Sequence, residues 1–124
     1  MGEVLIIDDD EASIFLTKRI LKGLGLAEQV HYAGNGKKGL ELIGKEADQL
    51  IPDLILLDIN MPVMDGFGFL QELGKLGFYD MSGTRIVMLS STEDPREIER
   101  AKSHGVTAFI PKPLTREKLL AVLG

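Results

Sequence analysis

The sequence predicts an α/β domain: a doubly wound, five-stranded parallel sheet assembled from five strand–helix pairs. Three observations carry this reading. Five short apolar runs, Val4–Ile7, Val30–Ala33, Leu54–Leu57, Ile86–Leu89 and Ala108–Ile110, are β-branched or Leu-rich and do not alternate with polar residues, the pattern of strands buried on both faces. Amphipathic stretches of helical period separate them. Each strand–helix unit implies a right-handed crossover, which distributes helices over both faces of the sheet. At 124 residues the chain suits one domain, residues 1–124, with one continuous core.

The helices follow in order. Phe15, Leu16, Ile20, Leu21 and Leu24 recur at helical spacing, with Gly23 and Gly25 at the stop. Residues 36–45 carry Leu40 and Ile43, and residues 66–76 carry Phe67, Leu70 and Leu73. Asp94-Pro95 reads as a cap followed by proline at the first helical position, with Gly105 closing that helix. Thr115 caps the last helix. Residues 74–83, interrupted by Gly77 and Gly83, read as a helix end and a longer loop. Gly39 and Gly68 stand inside helices, where each costs ~1 kcal/mol relative to alanine; the expectation is an effect on stability alone.

Composition narrows the function. Hydrophobic residues make up 44% and charged residues 27% of the chain, as in ordinary globules, and the net charge of -5 does not favour nucleic acid or anionic membrane as partner. There is no cysteine, which excludes disulfides and thiolate metal sites. No apolar run is long enough to span a bilayer, no signal peptide precedes the first strand, and Ile6 breaks the myristoylation pattern that Met1-Gly2 opens. A cytoplasmic protein is expected.

In such sheets ligands sit outside the carboxyl ends of the strands. The first strand delivers Asp8-Asp9-Asp10 to that edge, the third Asp58 with Asn60 two residues on, the fourth Ser90-Ser91-Thr92, and the fifth Lys112-Pro113. Carboxylates converging from two strands repel one another and call for a cation. A hard divalent ion, Mg²⁺ or Mn²⁺, takes oxygen ligands of this kind and leaves positions open for a phosphate. An aspartate can also act as nucleophile toward phosphorus and form an aspartyl phosphate. His31 and His104 have no partners at metal-ligand spacing, and Met61 and Met64 read as loop packing.

The blocks "IIDDDE", "LLDINMPVMDG", "VMLSS" and "IPKP", in this order and each at a strand end, resemble the signatures of a response-regulator receiver domain of two-component signalling. The resemblance spans essentially the whole chain, and it is closest to stand-alone, single-domain members, since nothing follows the fifth helix. It implies the flavodoxin/CheY-like (βα)₅ fold with strand order 2-1-3-4-5. It implies that Asp58 is the phosphoacceptor, that Asp9 binds Mg²⁺ directly and Asp8 through water, and that the Asn60 backbone carbonyl completes the metal site. Ser90 then bonds a phosphoryl oxygen, Lys112 pairs with the phosphoryl group, Lys112–Pro113 is a cis peptide, and Phe109 is an aromatic switch that turns inward when Ser90 moves. The implied donor is a sensor histidine kinase or a histidine phosphotransfer protein. The implied output is a protein-interaction face of the fourth helix, fifth strand and fifth helix, read by an unnamed downstream protein. Such a module is not an enzyme in the ordinary sense; it catalyses only its own phosphorylation and dephosphorylation.

Ser91 stands where the family usually has Ala or Gly, a change that keeps the residue small. Asn60 and Thr92 occupy positions that tune dephosphorylation in the family. Asp10, by contrast, reads as a helix-start residue, where the helix dipole favours acids. Two other functions compete: a haloacid-dehalogenase-like phosphohydrolase, which would want a second carboxylate where Asn60 stands, and a receiver-like adaptor that never takes phosphate.

Overall fold

The computed structural model describes residues 2–25, 29–44, 52–59, 61, 63–75, 83–91 and 94–123. Its elements alternate throughout: β1 (Glu3–Ile7), α1 (Glu11–Leu24), β2 (Gln29–Ala33), α2 (Gly36–Gly44), β3 (Leu54–Asp58), α3 (Gly66–Gly74), β4 (Arg85–Ser90), α4 (Pro95–Ser103), β5 (Ala108–Pro111) and α5 (Arg116–Leu123). All neighbouring strands run parallel, in the order β2-β1-β3-β4-β5. This is the expected five-stranded fold. The order reverses direction between β1 and β3, so the carboxyl ends of these two strands flank the crevice where doubly wound sheets bind ligands.

Alternation along each strand divides the core into two layers. Val4, Ile6, Leu54, Leu56, Val87 and Leu89 pack with Leu21 of α1 and Leu119 of α5. Leu5, Ile7, Ile55, Leu57, Ile86 and Met88 pack on the other face, with Ile43 of α2, Phe69 of α3 and Ala101 of α4. The reading of strands buried on both faces holds for β1, β3 and β4. It does not hold for β2, where only Ala33 is buried and Tyr32 is 57% exposed, nor fully for β5, where only Ile110 is buried. Both are edge strands, and a short apolar run does not reveal which strands lie at the edges.

Local chemistry starts and stops the helices as expected. The Asp10 carboxylate accepts from the Ala12 N–H at the head of α1, and Gly25 ends that helix at φ 63°. The Asp94 carboxylate caps α4 ahead of Pro95, and Gly105 follows it at φ 79°. The Thr115 hydroxyl accepts from the Lys118 N–H at 3.2 Å. A further cap is Asp65, whose carboxylate accepts from the Gly68 N–H at 2.8 Å and starts α3. Residues 45 and 76, at the ends of the expected second and third helices, and residues 76–82 of the expected loop lie outside the described residues.

Gly39 has a packing role in addition to its helix-propensity cost: a Cβ there would stand 2.6 Å from Ile7 Cδ1 and 3.2 Å from Phe69 Cε1. Helix α2 lies so close to β1 and α3 that a methyl at this position needs the tip of the Ile7 side chain to shift and the Phe69 ring to give by a few tenths of an ångström, a packing cost that opposes the helix-propensity gain of alanine. Gly68 is also tight, since a Cβ there would stand 3.1 Å from Met64 Cγ.

Candidate functional site

The site is built by four strand ends. β1 stops at Ile7, and the Asp8 N–H continues the ladder by donating to the Ala33 carbonyl at 3.0 Å, which fixes the backbone just beyond the strand. The Asp8 carboxylate turns back and accepts from the Asp10 N–H at 3.0 Å. Asp8 is buried and Asp9 is exposed. Asp58 is the last residue of β3, a strand buried along its whole length, and is itself only 5% exposed. Each of the three carboxylates offers an oxygen within 4.8 Å of the others.

Lys112 closes the group from the far side. Its N–H donates to the Ser90 carbonyl, which ties the end of β5 to the end of β4. Its side chain crosses both, placing Nζ 3.3 Å from Asp8 Oδ2 and 3.3 Å from Asp58 Oδ1. The peptide bond between Lys112 and Pro113 is cis, as expected.

The electrostatics follow from this crowding. Burial pushes the Asp58 carboxyl up to about 6 from its ordinary 3.8, and the neighbouring Asp8 charge adds to the rise, while Lys112 opposes it. For Lys112 burial works downward, but the Asp58 and Asp8 charges outweigh it and hold the ammonium above its ordinary value. One ammonium thus faces two buried carboxylates, with the Asp9 carboxylate close to both. The donor set is all oxygen, carboxylate-rich and clustered within reach of a single ion, which suits Mg²⁺ or Mn²⁺ and does not suit a thiophilic metal.

The structure therefore brings together Asp8, Asp9, Asp58 and Lys112. Ser90 is fully buried at the end of β4, one residue beyond Leu89, the register partner of Asp58. Phe109 is half-buried on β5, beside Met88 in register, and packs against the core layer under α2, α3 and α4. Asn60 and Thr92 lie outside the described residues. Met61 is buried and Met64 packs against the core, in keeping with their reading as packing residues.

Sequence reasoning missed the part played by Gly66. Its N–H donates to the Ile59 carbonyl at 2.8 Å, and a Cβ there would stand 2.6 Å from the Asp58 carbonyl oxygen. The start of α3 thus presses directly on the backbone of Asp58, and only glycine permits the approach. The Asp65-Gly66 dipeptide signals a turn but not this contact. In the same loop Val63 is 80% exposed and held at φ 68°, a left-handed conformation unusual for a β-branched residue.

Comparison with known proteins gives a consistent picture. The family model for the response regulator receiver domain matches residues 4–124. The probable chemotaxis protein CheY of Rhizobium etli is 31% identical over 121 residues, covering 98% of this chain and 88% of that protein. The sensor histidine kinase CheAY of Helicobacter pylori is 35% identical over 120 residues, 97% of this chain but only 14% of the kinase, so the similarity is to one segment of a longer protein. Among solved structures, the chemotaxis response regulator CheY4 of Vibrio cholerae superimposes with a TM-score of 0.81 at 30% identity, over 99% of this chain and 96% of that one.

Proposed function

Because this chain belongs to the response regulator receiver domains of two-component signalling, we propose that residues 1–124 form one receiver unit in which Asp58 is the phosphoacceptor. The observation that carries the reading is the ammonium of Lys112 at 3.3 Å from Asp58, beside a cluster of three carboxylates at the switch point of the sheet. The donor would be a phosphohistidine on a kinase or phosphotransfer protein, or a small acyl phosphate.

In the proposed reaction an Asp58 carboxylate oxygen attacks phosphorus. The bond from phosphorus to the donor nitrogen breaks, and the imidazole leaves with that electron pair and takes up a proton. Lys112, already aimed at Asp58, stabilises negative charge on the phosphoryl oxygens. The β3 strand, paired on both sides and fully buried, holds the nucleophile in place, and Gly66 fixes the backbone at Asp58. Asp8, Asp9 and Asp58, with the Asn60 carbonyl, would hold a divalent ion, which supplies positive charge beside the transferred group. Ser90 would then donate its hydroxyl to a phosphoryl oxygen, and Phe109 would move inward as a consequence. The α4–β5–α5 face would report the change to a downstream protein as a population shift. Catalysis would extend only to the chain's own phosphorylation and dephosphorylation. Among the described residues no helix is long and apolar enough to cross a membrane; a cytoplasmic location is part of this proposal.

The test is intact mass after incubation with acetyl phosphate and Mg²⁺, with EDTA and Asp58→Asn controls. One added phosphoryl group that needs both the metal and Asp58 is the expected result. No addition from acetyl phosphate or from a panel of autophosphorylated kinases, with Mg²⁺ still bound, would instead identify an adaptor that never takes phosphate.

A further inference from the structure

Lys112 is held through its backbone as well as through its ammonium. It stands between two prolines, and neither Pro111 nor Pro113 has an N–H to give. The Lys112 N–H, bonded to the Ser90 carbonyl at 2.6 Å, is therefore the single backbone donor of residues 111–113. The carbonyls on either side of Lys112 are both taken by one side chain from α5. Lys118 Nζ donates to the Pro111 carbonyl at 3.0 Å and to the Pro113 carbonyl at 3.0 Å.

This placement runs against the local rules of a helix start. The Thr115 hydroxyl caps α5 by accepting from the Lys118 N–H, so Lys118 is the third residue of the helix. A threonine cap is often matched three residues on by Glu or Gln, which turns back to the N–H of the cap. The positive end of the helix dipole also disfavours a cation in the first turn. Lys118 reaches instead to the segment that precedes the helix. A residue that breaks a local rule calls for a gain elsewhere, and the contacts of Lys118 lie on the two neighbours of the ammonium-bearing residue of the site.

We propose that Lys118 is a positioning residue: it clamps the backbone on both sides of Lys112 and so holds the Lys112 ammonium between Asp8 and Asp58. Lysine carries its charge on a flexible four-carbon stem. The two ion pairs at 3.3 Å can set that stem only if the backbone from which it starts is itself fixed. A shift of about 1 Å at a reacting centre costs up to about a hundredfold in rate. The effect of Lys118 passes through Lys112, so it is bounded by what Lys112 itself contributes. The effect on labelling rests on the proposed phosphorylation of Asp58; the clamp on Lys112 does not.

The experiment compares the wild type with Lys118→Met and Lys118→Arg in the whole chain. Carbon-13 relaxation at Lys112 Cε reads the clamp with no phosphoryl donor present. Its order should fall in Lys118→Met and return in Lys118→Arg, whose guanidinium again offers more than one donor, while Cε of the exposed Lys102 stays unchanged. With acetyl phosphate and Mg²⁺, Lys118→Met should be labelled about tenfold more slowly than the wild type, a partial misplacement, and Lys118→Arg should recover most of the rate. Made in the Lys112→Met background, Lys118→Met should slow labelling no further, because its route to Asp58 is gone. Unchanged Lys112 order in Lys118→Met overturns the proposal, as does an unchanged labelling rate. So does equal slowing in the Lys112→Met background, which would mark a general loosening of α5. If the wild type is never labelled, the proposed function fails while the Lys112 order still decides the clamp.

Discussion

A carboxylate stands at each end of β3, and the two live under opposite conditions. Asp53, just before the strand, accepts from the N–H groups of Glu3 at 3.0 Å and Gly2 at 2.9 Å, and these bonds hold its carboxyl below the ordinary value. Asp58, at the other end, is buried among like charges and pushed up to about 6. The helical glycines show a related contrast. Gly36, Gly39, Gly66 and Gly68, in the first turns of α2 and α3, leave no comfortable room for a Cβ, whereas Gly23, Gly25 and Gly74, at helix ends on the amino edge, meet nothing within 4 Å, and neither does Gly34 in the turn after β2. At the amino edge the Asp53 carboxylate is thus satisfied by backbone donors, an arrangement that favours stability. The carboxyl edge is tightly packed around an electrostatic arrangement that the fold alone does not favour, the mark of a site held in place for chemistry.

One substitution made at both edges separates them most sharply. Gly66→Ala should destabilise the protein by about 3 kcal/mol, because the new methyl collides with the Asp58 backbone rather than with a flexible side-chain tip. Gly23→Ala, in open space near the end of α1, should stabilise it by up to about 1 kcal/mol. Urea denaturation of the two variants measures both. Equal signs would mean that the edges do not differ in packing.

Lys112 carries the next largest effect. Lys112→Met keeps the bulk of the side chain and removes the charge that faces both carboxylates. Labelling of Asp58 by acetyl phosphate should slow about a hundredfold, the usual order for losing one preorganised charge-stabilising group. The Asp58 carboxyl, deprived of its one opposing cation, should titrate still higher, which carbon-detected NMR would read directly.

The two edges were not equally legible in the sequence. β1, β3 and β4 announce themselves as continuous apolar runs, and Asp8, Asp58 and Lys112 stand out because charge directly after such a run is conspicuous. β2 looked the same as the central strands, since edge position is set by strand pairing and not by local pattern. Asp53 gave no signal: its partners lie fifty residues away, and only the β1–β3 register brings Gly2 and Glu3 beside it. Gly39 and Gly66 could be seen as glycines but not as contacts, because the atoms they make room for belong to other elements. Local chemistry is written locally, whereas close approach is a property of the assembled layers.

Asp58→Asn tests the carboxyl edge as a stability defect. Below the ordinary value of 3.8 both folded and unfolded states carry the proton and the group's favourable contribution is complete; as the pH rises through about 6 that contribution is lost. At pH 7 without divalent ions, Asp58→Asn should therefore be more stable than the wild type by about 1–2 kcal/mol, a discounted conversion of the shift, and the difference should vanish near pH 4. Saturating Mg²⁺ should close the gap from the other side by stabilising the wild type. A wild type as stable as the variant at pH 7 in EDTA would remove the claimed defect.

Asp53→Ala gives the smallest effect and the opposite sign. The folded carboxyl lies below 3.8, so its contribution is present above that pH and fades as the pH falls through the folded value. Asp53 is exposed, and solvent screens its charge, so the loss at pH 7 should be about 1 kcal/mol, the worth of its hydrogen bonds to Glu3 and Gly2. The loss should be local as well as small. The Asp53 backbone keeps its own bonds, donating to the Glu3 carbonyl and accepting from the Arg85 N–H, so the register of β1, β3 and β4 survives the substitution. Amide exchange should accelerate at Gly2 and Glu3 and stay unchanged at Leu5 and Leu56. Acceleration through the middle of β1 would show instead that this end of the sheet is held by the one carboxylate rather than by the ladder, and the contrast between an amino edge built for stability and a carboxyl edge built for chemistry would have to be redrawn.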